Sequence, residues 1–282
     1  MYGKVDTLSQ HNHVMLIKGQ AKKCWQMKSS TAGPIILLLS LTALLPVSAA
    51  ATSPVLGAPR IPLTMGNSLN WAGYADVVEH GTVTAANGSF VVPTLTCSNK
   101  QAYVALWVGI DGYNDSTVEQ TGVLGQCSHG AASYSAWYEF YPTSPVYSSN
   151  AVKAGDVINA SVTYNNGAFT TTIYDKSQGW TYTSPPTVVS GARRSSAEWI
   201  TERPAIGNHL TTLADFGTAS YGYDYTGLSG TNFATIGGTT GQISSFNNAA
   251  ITMVSGGHRS STLASPSLLS TDGTSSFYVA YG

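Results

Sequence analysis

The sequence predicts an all-β protein, an antiparallel sandwich of jelly-roll or concanavalin-like design with two packed sheets. Three observations lead there. Short runs of alternating or continuous apolar residues recur along the chain; clusters of Gly, Asn and Ser separate them; and no long stretch beyond the N-terminal region carries a 3.6-residue apolar period. Alternation is the side-chain period of a strand, and the separating residues are those that tolerate turn conformations.

The chain begins with a targeting pattern. Lys18, Lys22, Lys23 and Lys28 precede an apolar run from Ala32 to Val47, which ends in Ser48-Ala49-Ala50-Ala51. A basic region, an apolar region and small residues in that order make residues 1–51 a signal peptide, cut within the last few positions. The run is too short and too interrupted for a membrane span. Met27-Lys28-Ser29 would make an ordinary start, so residues 1–26 read as an upstream extension. Residues 52–68, with Pro54, Pro59 and Pro62, read as an extended leader or short pro-segment, and residues 69–282 as a single domain. The product is expected to be secreted, with no membrane association after processing.

Without the first 51 residues the chain keeps about 230 residues, enough for one substantial core. It also keeps 8 of the 13 Lys and Arg and 13 of the 14 Asp and Glu, a formal charge of −5. No basic stripe remains, which argues against a nucleic-acid partner. Ser, Thr, Tyr, Asn and Gly carry the surface instead. So few cations leave little self-repulsion when carboxylates protonate, a composition suited to an acidic medium. Cys24 falls in the removed segment. Cys97 and Cys127 are left, and two cysteines in an exported chain are expected to pair.

Strand-like runs follow in order at 70–78, 89–92, 102–110 and 133–141. The clearest hairpin places Ile158, Ala160, Val162 and Tyr164 on one face, turns at Asn165-Asn166-Gly167 and returns from Ala168 to Tyr174. Further runs lie at 180–183, 218–223, 251–254 and 276–281. Between the loop-like Ser190–Ser196 and Pro204 sits Ala197-Glu198-Trp199-Ile200-Thr201-Glu202-Arg203. As a strand it puts Glu198, Ile200 and Glu202 on one face and Trp199 on the other. A carboxylate buried there is costly unless it is partnered or put to use.

Familiar hydrolase machinery is missing. Gly227-Leu228-Ser229-Gly230-Thr231 and Gly273-Thr274-Ser275-Ser276-Phe277 both fail as nucleophile elbows, and no Asp-Thr-Gly or Asp-Ser-Gly occurs. His80, His129, His209 and His258 lack zinc-type spacing. Asp111-Gly112-Tyr113-Asn114-Asp115 offers oxygen ligands, but turns use the same residues, and no metal is expected. Aromatic residues beside carboxylates remain at Leu106–Gly112, which Glu119–Val123 follows, and at Ala136–Pro142, a composition shared by substrate clefts and sandwich cores.

Five stretches, taken together and in order, resemble the glutamic peptidases, or eqolisins. They are Asn70-Trp71-Ala72-Gly73-Tyr74, Trp107-Val108-Gly109-Ile110-Asp111-Gly112, Glu119-Gln120-Thr121-Gly122, Trp137-Tyr138-Glu139 and Ala197-Glu198-Trp199-Ile200. The resemblance implies a pepstatin-insensitive acid endopeptidase on a two-sheet sandwich, working without cofactor on polypeptide substrates, and a monomer. Carried over by motif, the catalytic glutamine falls on Gln120 and the catalytic glutamate on Glu198. Trp107, Asp111 and Glu139 match substrate-binding positions near the cleft. Glu202 shares the strand face of Glu198, so only the motif separates the two. A rival reading is a glycoside hydrolase or carbohydrate-binding jelly roll that uses the same aromatic and carboxylate face. Glu198 and Glu202 cannot be its acid pair, since four strand residues span about 13 Å. Glu139 with Glu198 could be.

Overall fold

The computed structural model describes residues 59–64 and 66–282, so the expected signal peptide and residues 52–58 and 65 of the expected leader lie outside the described residues. In chain order the strands are β1 (Pro62–Thr64), β2 (Asn67–Ser68), β3 (Trp71–Val77), β4 (Val83–Val91), β5 (Ala102–Ile110), β6 (Val118–Ser128) and β7 (Ala131–Tyr141). There follow β8 (Val146–Tyr147), β9 (Val157–Asn165), β10 (Ala168–Asp175), β11 (Trp180–Thr183), β12 (Ser196–Glu202), β13 (Ala205–Ile206) and β14 (His209–Leu210). The last are β15 (Thr218–Tyr221), β16 (Phe233–Ile236), β17 (Thr239–Gln242), β18 (Asn248–Val254), β19 (Thr262–Pro266) and β20 (Phe277–Tyr281). One four-residue helix, Tyr223–Thr226, follows β15. No helix among the described residues is long and apolar enough to cross a membrane.

These strands make the two-layer antiparallel sandwich that the sequence predicts. The first sheet runs β18–β3–β12–β5–β6–β7–β8. The second runs β11–β10–β9–β4. The far edge of β4 is divided between β16, which carries β17, and β15, which carries β20 and then β19. β18 belongs to both layers: Asn248–Ile251 pairs with β3, while Thr252 to Val254 pair with β19 and, in parallel, with β2.

The predicted hairpin forms β9 and β10. Asn165 faces Ala168 across the turn, and Asn166 and Gly167 have φ of 49° and 84°, the two positive values a tight hairpin turn requires. Residues 59–64 and 66–68, which the sequence assigns to the leader, pair with the sandwich. β2 lies along β18, the Arg60 amide donates to the Gly112 carbonyl at 3.2 Å, and the Arg60 guanidinium lies 4.2 Å from the Tyr113 ring centre. β6, eleven residues long and nearly all buried, does not emerge from the sequence pattern because both its faces are covered and its glycines break any alternation.

Side chains facing inward from both layers make the core. Tyr74, Leu106, Val108 and Trp199 come from the first sheet, and Phe90, Ile158, Tyr221 and Phe277 from the second. Tyr221 stacks on Phe277 with ring centres 4.7 Å apart, and Tyr74 meets Phe277 edge-on at 4.9 Å. The polar edge of Trp199 is satisfied, since its Nε1 donates to the Asn87 carbonyl at 2.7 Å. Cys97 and Cys127 are joined, with Cα atoms 5.3 Å apart. Closing that 30-residue separation should contribute roughly 3–4 kcal/mol on a chain-entropy account.

One core position holds a carboxyl without a partner among the described residues. Asp76 on β3 faces Ala197 and Asn248 across the ladder, is fully buried, and has no hydrogen-bond partner on either carboxyl oxygen among the described residues. Burial pushes its pKa up to about 8. The folded state therefore binds a proton that the unfolded chain releases near pH 4. This contribution to stability is complete below about pH 4 and is lost progressively as the pH rises toward 8. Asp76→Asn is expected to leave the unfolding midpoint at pH 3 nearly unchanged and to raise it at pH 7 by roughly 5 °C or more, read by thermal unfolding at both pH values.

Candidate active site

The outer face of the first sheet is as buried as the inner one, and its side chains carry chemistry. β12 is paired along both edges, and residues directly opposite each other share a face. One cross-strand row reads Ala75, Glu198, Gly109, Gln120, Glu139. The next reads Gly73, Ile200, Trp107, Gly122, Trp137, Tyr147. A third contains Trp71, Glu202, Ala105 and Leu124. Trp71, Trp107, Trp137 and Ile200 pack into one apolar cluster, which forms the floor of this face.

Two glycines keep the floor flat enough for the Trp107 indole. A Cβ on Gly122 would lie 2.0 Å from the Leu106 carbonyl oxygen and 2.7 Å from the Trp107 Cβ. A Cβ on Gly109 would lie 2.8 Å from the Trp107 ring and 3.3 Å from the Gln120 Cβ. The ring thus lies beside Gln120, and its Nε1 donates to Glu202 Oε2 at 2.8 Å. Gln120 Nε2 in turn donates to Glu139 Oε2 at 2.8 Å. Burial first, and then the nearby Glu202 carboxyl, push the Glu139 pKa up to about 9, against the Gln120 hydrogen bond that pulls it down. Gln120 Oε1, Glu139 Oε1 and the Nε1 atoms of Trp71 and Trp137 are buried without a partner among the described residues. Gln120, Glu139, Trp107 and Glu202 therefore form one group.

The expected catalytic glutamate, Glu198, stands apart from that group. Register alone keeps it in contention, because only Gly109 separates it from Gln120 in the row. Its surroundings differ from those of Glu202. It is fully buried beside Ser196, and burial raises its pKa well above the ordinary value, helped by Asp111, Asp115 and Glu119. Glu119 is raised likewise by burial and then by Asp111. Glu198 thus belongs to a knot of acids at the end of β5, while Glu202, four residues on, sits with Trp107 and Glu139.

Asp111 has its own task. Its backbone is left-handed at φ 71°, and its carboxylate gathers the chain just ahead of β12. Oδ2 accepts from the Arg193 and Arg194 amides at 2.7 Å each, and Oδ1 accepts from the Ser195 amide at 2.8 Å. Burial and the adjacent Asp115 push it to about 6 against those donors. These bonds make it an anchor for the loop ahead of β12. No group of three or more His, Cys, Asp and Glu among the described residues is arranged to hold a metal ion.

Fold and face together define a class: a β-sandwich with one sheet presenting a carboxamide and buried carboxyl groups on a floor of tryptophan. The chain belongs to the Peptidase A4 family, the glutamic peptidases that the five motifs resemble, and the family profile matches residues 69–264. It is similar to Aspergillopepsin-2 of Aspergillus niger, with 31% identity over 178 residues, 55% of this chain and 62% of that relative. The chain thus spans less than two thirds of the length of that curated relative. Among solved structures, aspergilloglutamic peptidase from Aspergillus niger matches at 28% identity with a TM-score of 0.54, over 64% of this chain and 99% of that one. Scytalido-glutamic peptidase with a transition state analog inhibitor matches at 20% identity with a TM-score of 0.62, over 76% and 98% of the two chains. At that identity the second likeness concerns the fold.

If Asp111 anchors the 193–195 loop, Asp111→Ala should orphan three backbone donors and cost about 2–4 kcal/mol in urea unfolding at acid pH. KM for a peptide substrate should stay unchanged where the variant is folded. A raised KM at unaltered stability would restore the substrate-binding role.

Proposed function

We propose that this chain is a secreted, acid-acting endopeptidase in which Gln120 and Glu202, with Glu139 beside them, act on a water molecule and the scissile carbonyl. The observation that carries the reading is the placement of Glu202. Its carboxyl is held by the Trp107 indole and lies close enough to Glu139 to raise the latter's pKa, while Glu139 holds Gln120. Peptidase A4 membership supports protein substrates over the glycosidase and lectin readings.

Amide hydrolysis needs a base for water, a donor for the developing oxyanion and a proton for the leaving amine. Environments that push two neighbouring carboxyls apart assign their roles. Glu139, raised to about 9, stays protonated through the acid and neutral range, so Glu202 is the carboxyl left to take the proton of water and later return it to the amine. One Gln120 N–H is spent on Glu139; the other is a donor that does not titrate, suited to the oxyanion, and Oε1 can orient the water. The Trp107 N–H fixes the carboxyl it serves. Acid operation fits the same physics. Asp76, Glu119, Glu139 and Glu198 all have raised pKa values, so the folded state is favoured where they are neutral.

The two glutamates are distinguished by substitution. Glu202→Gln is expected to lower kcat on an acid-stable peptide by more than about 1,000-fold with the fold intact. Glu198→Gln should retain most of the activity and gain stability at pH 7, since it removes an ionisable group from the acid knot. An inactive Glu198 variant beside an active Glu202 variant would return the base to Glu198. Gln120→Ala should lower kcat by about 100- to 1,000-fold, measured on the same peptide at pH 3.

A further inference from the structure

The outermost strand of the first sheet carries a group that neither the fold nor the reacting cluster uses. β8 is two residues long and pairs only with β7: Val146 lies opposite Tyr138, and Tyr147 opposite Trp137. Val146 is exposed, whereas Tyr147 packs against the tryptophan floor. Its ring is half-buried, and its hydroxyl is buried with no hydrogen-bond partner among the described residues; Trp137 Nε1 beside it is in the same condition. Buried polar groups without partners are rare in folded proteins, and here two belong to ladder partners on the face that holds Gln120 and Glu139. Burial, then Glu139, then Tyr103 raise the Tyr147 pKa, so the phenol is a neutral O–H donor at every pH at which the protein works.

On the reading of Gln120 and Glu202 as the reacting pair, we propose that the Tyr147 hydroxyl is a substrate-binding donor that holds a backbone carbonyl of an extended peptide away from the scissile bond. Two features select that ligand. Both orphaned groups on this edge, phenol and indole, can donate, and the acceptor that every peptide supplies whatever its sequence is the main-chain carbonyl. Placement sets the distance. Two strand spacings and two residues along the strand separate Tyr147 from Gln120, about 12 Å between backbones. Less the reach of the side chains, that leaves the hydroxyl two or three residues from the reacting carbonyl of an extended chain.

Tyr147→Phe removes the oxygen and keeps the ring. A binding role predicts a kcat/KM about tenfold lower on a peptide of eight or more residues, carried by KM with kcat nearly unchanged. The penalty should vanish on peptides shortened from one end, and the thermal midpoint should stay level or rise, since an unpartnered buried hydroxyl has been removed. Unchanged kcat/KM overturns the proposal. So does a penalty equally large on peptides shortened from either end, which would place Tyr147 in the chemistry, and so does a lowered midpoint, which would make the hydroxyl structural. Failure of the underlying peptidase reading is separate, because then the parent protein would cleave no peptide.

Discussion

The structure depends on the hydrogen bonding of β12 along both its edges. All seven of its residues are buried, and β3 and β5 take up its amides and carbonyls in unbroken register. With the backbone satisfied this way, a strand can lie in the middle of a protein and still project polar side chains from it. Trp199 on one face ties the sheet to its partner layer. On the other face Glu198 enters a space where ionisation is costly, and Glu202 is held by the Trp107 indole.

Much of this was legible in the sequence, and the limits have physical causes. Alternation and turn chemistry marked β9 and β10 because one face of that hairpin is partly exposed. β5 was legible through its unbroken apolar run. β6 was not, although it carries Gln120: its Gly122 lets Trp107 approach, a demand imposed by another strand. The motif resemblance named Gln120 without needing the strand.

The site was legible as a neighbourhood and less so as an assignment. Gln120, Trp107 and Glu139 were named from the sequence and stand together. Glu202 was recognised as sharing the face of Glu198, but strand periodicity treats the two alike. What separates them comes from elsewhere in the chain: the Trp107 N–H on β5, the Glu139 carboxyl on β7, and the acids Asp111, Asp115 and Glu119, which crowd only the earlier glutamate. Asp111 shows the converse. Its residue type suggested a cleft ligand, yet its oxygens are consumed by amides more than eighty positions away, a pairing that no local pattern encodes.

The sharing of β18 between the layers bears on how the molecule moves. A sandwich whose sheets are joined only by side-chain packing can shear, one layer sliding over the other. Here a single strand is stitched into both, with Asn248–Ile251 in one ladder and Thr252–Val254 in the other. Sliding would tear main-chain hydrogen bonds at the seam, so the two sheets form a stiff chassis. Any bending that opens the tryptophan floor must therefore take place outside that chassis. The Ala205–Leu210 ribbon, whose ladder is with itself and which rests Ile206 against the floor, lies outside it.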